Sequence, residues 1–217
     1  MVNAAAYNDI RRELNDRHAL LVAVSKTKPA EDILALYQLG QRDFGENYVQ
    51  ELLGKQAALP ADIRWHFIGH LQSNKVKLIA PFVALIHSVD SLKLLREIDK
   101  QGMKNGRVID CLLQVHIAEE ETKFGFDANE LAAVMDHLEK DTLSHARVVG
   151  LMGMASFSSD AGKVHNEFRS LHRLYNELRT HHPEFSTLSM GMSADYAAAL
   201  GEGSTLVRIG SLLFGQR

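Results

Sequence analysis

LLVAVSKTKP, residues 20–29, begins as an apolar strand and ends on Ser25, two lysines and a proline. Lysine is costly to bury and weak as a strand former. Either the strand emerges into water, or a lysine is set at the rim of a core, where its amine can become nucleophilic. Seven further runs read as strands: RDFGE (42–46), WHFIG (65–69), ALIHSV (84–89), DCLLQVHI (110–117), ARVVGLM (146–152), TLSMGM (187–192) and TLVRIG (205–210).

Helical patterns separate them. EDILALYQLG (31–40) closes on Gly40, and SLKLLREIDKQG (91–102) is entered at Ser91 and left at Gly102. ANELAAVMDHLEK (128–140) and KVHNEFRSLHRLYNELRTHH (163–182) follow the same logic, the latter with a core stripe of Phe168, Leu171, Leu174, Tyr175 and Leu178. The N-terminal MVNAAAYNDIRREL reads as a leading helix capped by Asn3, with Tyr7, Ile10 and Leu14 on one stripe.

Eight strands, each followed by a helix, in 217 residues leave about 27 residues per unit, near the lower end for a (β/α)8 barrel. Continuous apolar strands fit helices outside and packed side chains inside. The rival, a doubly wound open sheet, lacks support: no strand runs into G-x-G-x-x-G, and there is no P-loop lysine motif. With four prolines and no Ser/Gly-rich linker or internal repeat, the expectation is α/β: a single (β/α)8 TIM barrel over residues 1–217.

Composition narrows the function. The chain is 46% hydrophobic and 24% charged with a formal charge of −3, an ordinary globular balance. A pI near 6.4 lacks the basic surface of a general nucleic-acid grip. Cys111, the one cysteine, lies in the apolar run CLLQV and reads as an inert core thiol in a reducing cytoplasm. LIAPFVALI (78–86) is too short to span a bilayer, and the N-terminus lacks the cationic head and apolar block of a signal peptide. The expectation is a cytoplasmic protein with no membrane or nucleic-acid partner.

In such a barrel, chemistry sits at the C-terminal strand ends. The seventh ends in Gly191-Met192-Ser193 before ADYAAAL (194–200), and the eighth in Gly210-Ser211 before LLFG. Hydroxyls and exposed N–H groups at these two ends suit a phosphate dianion, although both serines also suit helix capping. Arg208 lies in an apolar run and needs a partner, either Glu46 or Asp90 inside the barrel or a ring nitrogen or phosphate of a ligand. Lys26 shares the face of Val22 and Val24 as a strand residue. Desolvated there, its amine would serve as a Schiff-base nucleophile. Lys28 has the same parity but lies beside Pro29, and reads as a solvated rim cation. A lysine, a phosphate cradle and an arginine around one rim describe a pocket for pyridoxal 5′-phosphate (PLP).

AVSKTKP, FGENYVQE, WHFIGHLQSNK, HSVDS, GLMGM, SMGMSADYAAAL and GSTLVRIGSLLFG closely resemble the pyridoxal phosphate homeostasis protein family, whose barrel is of the alanine racemase N-terminal type. The match runs in order from about residue 20 to the C-terminus. The resemblance implies a fold-type III PLP barrel, usually monomeric, with PLP as a Schiff base on Lys26. It further implies Ser193, Gly210 and Ser211 around the phosphate, Arg208 facing the pyridine nitrogen, and Asn47 and Met154 lining the ring site. Family members are thought to buffer and deliver PLP in vitamin B6 balance, with apo-PLP enzymes as recipients and no firm catalytic reaction.

The related alanine racemases add a C-terminal β-domain that brings a second catalytic tyrosine. This chain stops at Arg217, and racemisation needs two acid–base groups, of which Lys26 alone is evident. His70 stands where the family often has proline, His116 where asparagine is common, and Ser211 where threonine is common; the two histidines would alter what enters the pocket. The region before LLVAVS is shorter than usual. Lys123 matches a family loop lysine and reads as a solvated cation or a transient second PLP contact.

Eleven histidines raise metal binding. His66 and His70 are four apart on a strand-to-loop path, and neither H-E-x-x-H nor a cysteine cluster occurs, so a metal centre is not expected. Three readings remain: a PLP carrier without efficient turnover, a weak racemase-like PLP enzyme using Lys26 as base, and a Schiff-base aldolase or other phosphate-binding barrel without PLP.

Overall fold

The computed structural model describes residues 2–118, 125–141 and 143–215. Eight parallel strands close into a barrel in chain order. They are β1 (Leu20–Val24), β2 (Asp43–Glu46), β3 (Arg64–Phe67), β4 (Leu85–Val89), β5 (Ile109–Val115), β6 (Ala146–Gly153), β7 (Thr187–Met192) and β8 (Leu206–Ile209). Closure is direct: Leu20 through Ala23 pair with Leu206 through Ile209. No open edge remains between the first and last strands, which excludes the doubly wound sheet.

The surrounding helices are α1 (Ala4–Asp16), α2 (Ala30–Gln38), α3 (Val49–Ala58), α4 (Val76–Ile79, entered by a 3-10 turn), α5 (Leu92–Lys104), α6 (Ala128–Lys140), α7 (Ala161–His181), α8 (Tyr196–Gly201) and α9 (Ser211–Phe214). Asn3 caps α1 as expected, its side chain accepting the Ala6 N–H at 3.1 Å. Phe168, Leu171 and Tyr175 of α7 are buried, with Leu174 and Leu178 packed beside them. Cys111 is buried, and desolvation pushes its thiol up, so it is held protonated and inert. No helix among the described residues is long and apolar enough to cross a membrane.

Period-two alternation divides the strand side chains. Leu21, Ala23, Phe44, Trp65, Phe67 and Ile86 pack in the core shared with the helices. Val22, Leu85, Leu112, Val149, Met152 and Leu206 form a second, smaller cluster inside the barrel. Barrels of this type are usually filled by branched apolar layers. This one also buries His66, His87, Ser189 and Arg208 on the inward register of β3, β4, β7 and β8. The interior is therefore partly a polar column.

Candidate functional site

A cavity of about 340 Å³ opens at the C-terminal strand ends. Lys26, Asn47, Met154, Ser193, Arg208, Gly210 and Ser211 all line it, with Val24, Ile68 and Met192 as apolar wall. Seven positions spread from residue 26 to 211 thus meet in one place, because each follows or ends an inner-register strand.

Lys26 is not a strand residue, as the apolar run suggested. β1 ends at Val24, and Lys26 sits in a turn after buried Ser25. That turn is tied down from behind. Ser25 Oγ donates to Glu46 Oε1 at 2.6 Å. The Lys55 ammonium donates to Ser25 O at 2.7 Å, Glu46 Oε1 at 2.7 Å and Glu51 Oε1 at 2.6 Å. Glu51 Oε1 also accepts the Thr27 N–H at 2.6 Å.

Thr27 has φ of 64°, an unfavourable region for a β-branched residue, so this hydrogen bond helps hold a strained turn. Burial raises the Glu46 carboxyl above its ordinary range, against the hydrogen bonds from Lys55 and Ser25. The clamp was not read from the sequence; the Glu51/Lys55 pair, one helical turn apart on α3, was its only local signal.

Lys28 is not the solvated rim cation expected. It is half-buried, and its Nζ donates to the Phe214 and Gly215 carbonyls at 3.1 and 3.3 Å. It straps the chain after β8 against the loop after β1 while lining the cavity.

The phosphate-type wall comes from β7 and β8. Neither serine caps a helix: the cap positions are Asp195 before α8 and Gly210 before α9, and neither makes a side-chain cap bond. Ser193 Oγ instead accepts the Gly210 N–H at 3.2 Å, joining the two loops. Ser211 opens α9, whose first N–H groups have no intrahelical acceptor. Gly191 has φ of 96°, and a Cβ there would lie 2.6 Å from Ala199 Cβ, so only glycine lets β7 turn into this loop.

Arg208 is buried without the barrel ion pair considered above. Its Nη1 donates to Ser189 O at 2.9 Å and to Ser189 Oγ, and its Nη2 to Gly153 O at 3.1 Å. Glu46 points outward to Lys55, and Asp90 contacts His70 at 3.1 Å. Burial lowers Arg208 to about 10, opposed by the charge of Asp195. It remains a cation at neutral pH.

Asn47 is fixed by close backbone approach: a Cβ at Gly69 would lie 2.3 Å from the Asn47 carbonyl oxygen. Its Oδ1 is buried and has no hydrogen-bond partner. Neither His70 nor His116 is among the residues lining the cavity. Lys123 lies outside the described residues. Among the described residues no group of three potential metal ligands occurs; His66 faces His87 inside the barrel, away from His70.

The polar set is specific in its chemistry: the amines of Lys26 and Lys28, the hydroxyls of Thr27, Ser193 and Ser211, the first N–H groups of α9, a buried guanidinium and the orphaned Asn47 amide oxygen. These fit a flat, phosphorylated aldehyde with a ring nitrogen, and the residues therefore fit PLP.

The family model for the alanine racemase N-terminal domain matches residues 4–217. The pyridoxal phosphate homeostasis protein of Aquifex aeolicus is 43% identical over 201 residues, covering 92% of this chain and 87% of that one. The structure of PipY from Synechococcus elongatus with PLP bound superposes with a TM-score of 0.89 at 37% identity, over 98% of this chain and 99% of that chain. Alanine racemase from Bartonella henselae shares the fold, with a TM-score of 0.69 at 18% identity over 96% of this chain and 60% of its own. The chain belongs to the pyridoxal phosphate homeostasis protein family, built on the alanine racemase N-terminal barrel.

Proposed function

We propose that this chain binds PLP, holds it as a Schiff base on Lys26, and serves intracellular supply and balance of this vitamin B6 cofactor. The observation that carries the reading is the convergence of Lys26, Arg208 and the Ser193/Ser211 wall on one cavity. The family, and the PLP-bound relative within it, support it. PLP when bound supplies an electrophilic carbon and an electron-withdrawing ring.

The chain's residues divide the work. Lys26 Nζ would bond the aldehyde carbon, the aldehyde oxygen leaving as water. Ser193, Gly210 and Ser211 take the phosphate through hydroxyls and backbone N–H groups. Arg208 would donate toward the ring nitrogen, and Asn47 and Met154 would flank the ring. Residues 1–217 would act as one monomeric domain in the cytoplasm, with apo-forms of PLP-dependent enzymes as recipients.

Racemase-like turnover ranks second. It needs acid–base groups on both faces of a carbanion. Among the described lining residues the titratable side chains are Lys26, Lys28 and Arg208, and Lys28 is engaged by two carbonyls. The PLP-loaded protein is incubated with D- or L-alanine in deuterated water. Carrier function predicts α-proton exchange no faster than with free PLP; faster exchange, lost in Lys26→Ala, would establish an enzyme instead.

A further inference from the structure

A guanidinium has five N–H donors and no acceptor, and a carboxylate has acceptors and no donor. When a buried chain of hydrogen bonds runs from one to the other, its ends dictate every proton between them. The polar column inside this barrel is such a chain. Arg208 Nη1 donates to Ser189 Oγ, which lies 3.1 Å from His87 Nδ1. His87 Nε2 lies 3.0 Å from His66 Nδ1, and His66 Nε2 lies 3.0 Å from Asp43 Oδ1. Asp43 also accepts from Arg64 at the opposite end of the barrel.

From the Arg208 end, Ser189 Oγ accepts from Nη1, which can only donate, and His87 Nδ1 is the acceptor within reach of the hydroxyl's own hydrogen. A neutral His87 then carries its proton on Nε2 and donates to His66 Nδ1. From the other end, Asp43 can only accept, so His66 carries its proton on Nε2. Both ends give the same direction and the same Nε2–H tautomer for both rings.

Adding a proton to either ring would break this order. It would reverse the Ser189 contact and leave the serine hydroxyl without an acceptor at a fully buried position. The groups facing His87 are His66, Ser189 and, through Ser189, Arg208; burial first, then the adjoining His66 ring and the Arg208 cation, lower His87 well below its ordinary value.

The column therefore grips Arg208 with a hydroxyl and carbonyls rather than a carboxylate. We propose that Ser189 and His87 are positioning residues for Arg208: their one-way hydrogen-bond column, anchored on Asp43, fixes the guanidinium at the cavity wall through neutral acceptors. The part concerning PLP rests on the function proposed above; the column itself does not.

Long-range proton–nitrogen NMR of histidine-labelled protein without PLP reads the tautomers, with His66→Gln and His87→Gln assigning the two rings. At pH 8 the column predicts Nε2–H on both; an Nδ1–H proton on His87 would overturn it. In arginine-labelled protein, Arg208 should show separate, slowly exchanging Nη–H signals, and in Ser189→Ala the Nη1–H signal should shift and exchange faster while Nη2–H, held by the Gly153 carbonyl, changes little. An Nη1–H signal unchanged in Ser189→Ala would show that the Ser189 hydroxyl does not hold the guanidinium.

With PLP added, Ser189→Ala should shift the absorbance band and weaken binding by about tenfold, and Ser189→Thr, which keeps the hydroxyl, should restore both. Unchanged band and affinity in Ser189→Ala would overturn the positioning role. If wild-type protein takes up no PLP, the function proposed above fails, while the tautomers and Nη–H signals still decide whether the column grips Arg208.

Discussion

The Lys55 ammonium lies 2.7 Å from the carbonyl oxygen of Ser25, the residue immediately before Lys26. A buried lysine that lines no part of the cofactor cavity thus holds the backbone of the one that does. Replacing Lys55 by Met would strand the fully buried Glu46 carboxylate without its cation. Breaking such a pair costs about 3–5 kcal/mol. Urea unfolding should show a loss of this order for Lys55→Met, and recovery of part of it in Lys55→Met/Glu46→Gln, where no buried charge remains. A loss below about 1 kcal/mol, typical of an exposed pair, would mean that the clamp is idle.

The two hydroxyls of the β7–β8 wall should distinguish phosphorylated from unphosphorylated ligand. Hydrogen bonds to charged groups contribute about 1.5–3 kcal/mol. Ser193→Ala and Ser211→Ala should each weaken PLP by roughly tenfold or more, with little effect on pyridoxal, which lacks the phosphate. Titration of each variant with both ligands measures the ratio; equal losses for both would place the phosphate elsewhere.

Asp43 sets an acid limit on stability. Burial pushes its carboxyl up, but the hydrogen bonds from His66 and Arg64, with the Arg64 charge, outweigh this and hold it below the ordinary 3.8. A folded pKa below the unfolded one stabilises fully above the unfolded value, and the benefit is lost as pH falls through the folded value. Asp43→Asn should therefore be less stable than wild type at pH 7, with the gap narrowing below about pH 4. Urea midpoints across that range test the sign; a gap that widens on acidification contradicts it.

Gly69→Ala would drive a Cβ to 2.3 Å from the Asn47 carbonyl oxygen. Backbone cannot yield as a flexible side chain does, so a loss of about 1–3 kcal/mol is expected. Weaker PLP binding should follow, since Asn47 lines the cavity. A thermal midpoint equal to wild type would show that the two strands have more room than the structure allows them.

The strand ends were legible because each carries its own local pattern. An apolar run of period two breaks into Gly, Ser, Lys or Arg, and Lys26, Ser193, Arg208, Gly210 and Ser211 follow from that break. β1 ends two residues before Lys26, although Ser25 still donates its N–H to the Gly45 carbonyl of β2 at 3.0 Å and so prolongs the strand pattern past Val24. α3 passed unread, its Gly54 weakening the helical pattern.

The clamp and the column were illegible for a different reason. Ser25 and Glu46 are 21 residues apart, and His87 and Ser189 are 102 apart. No local period carries such pairings; barrel closure makes them. His66 was weighed only against His70, its neighbour in sequence, whereas its partner is His87 on the adjacent strand.

The central claim is covalent attachment at Lys26, and the most direct measurement is reductive trapping. Wild-type protein and Lys26→Ala are incubated with PLP, reduced with borohydride, digested and mapped by mass spectrometry. One dominant pyridoxyl adduct is expected, on Lys26, with Lys26→Ala losing both it and the absorbance of the loaded protein. An adduct centred on Lys28 or another lysine, or undiminished trapping in Lys26→Ala, would contradict it.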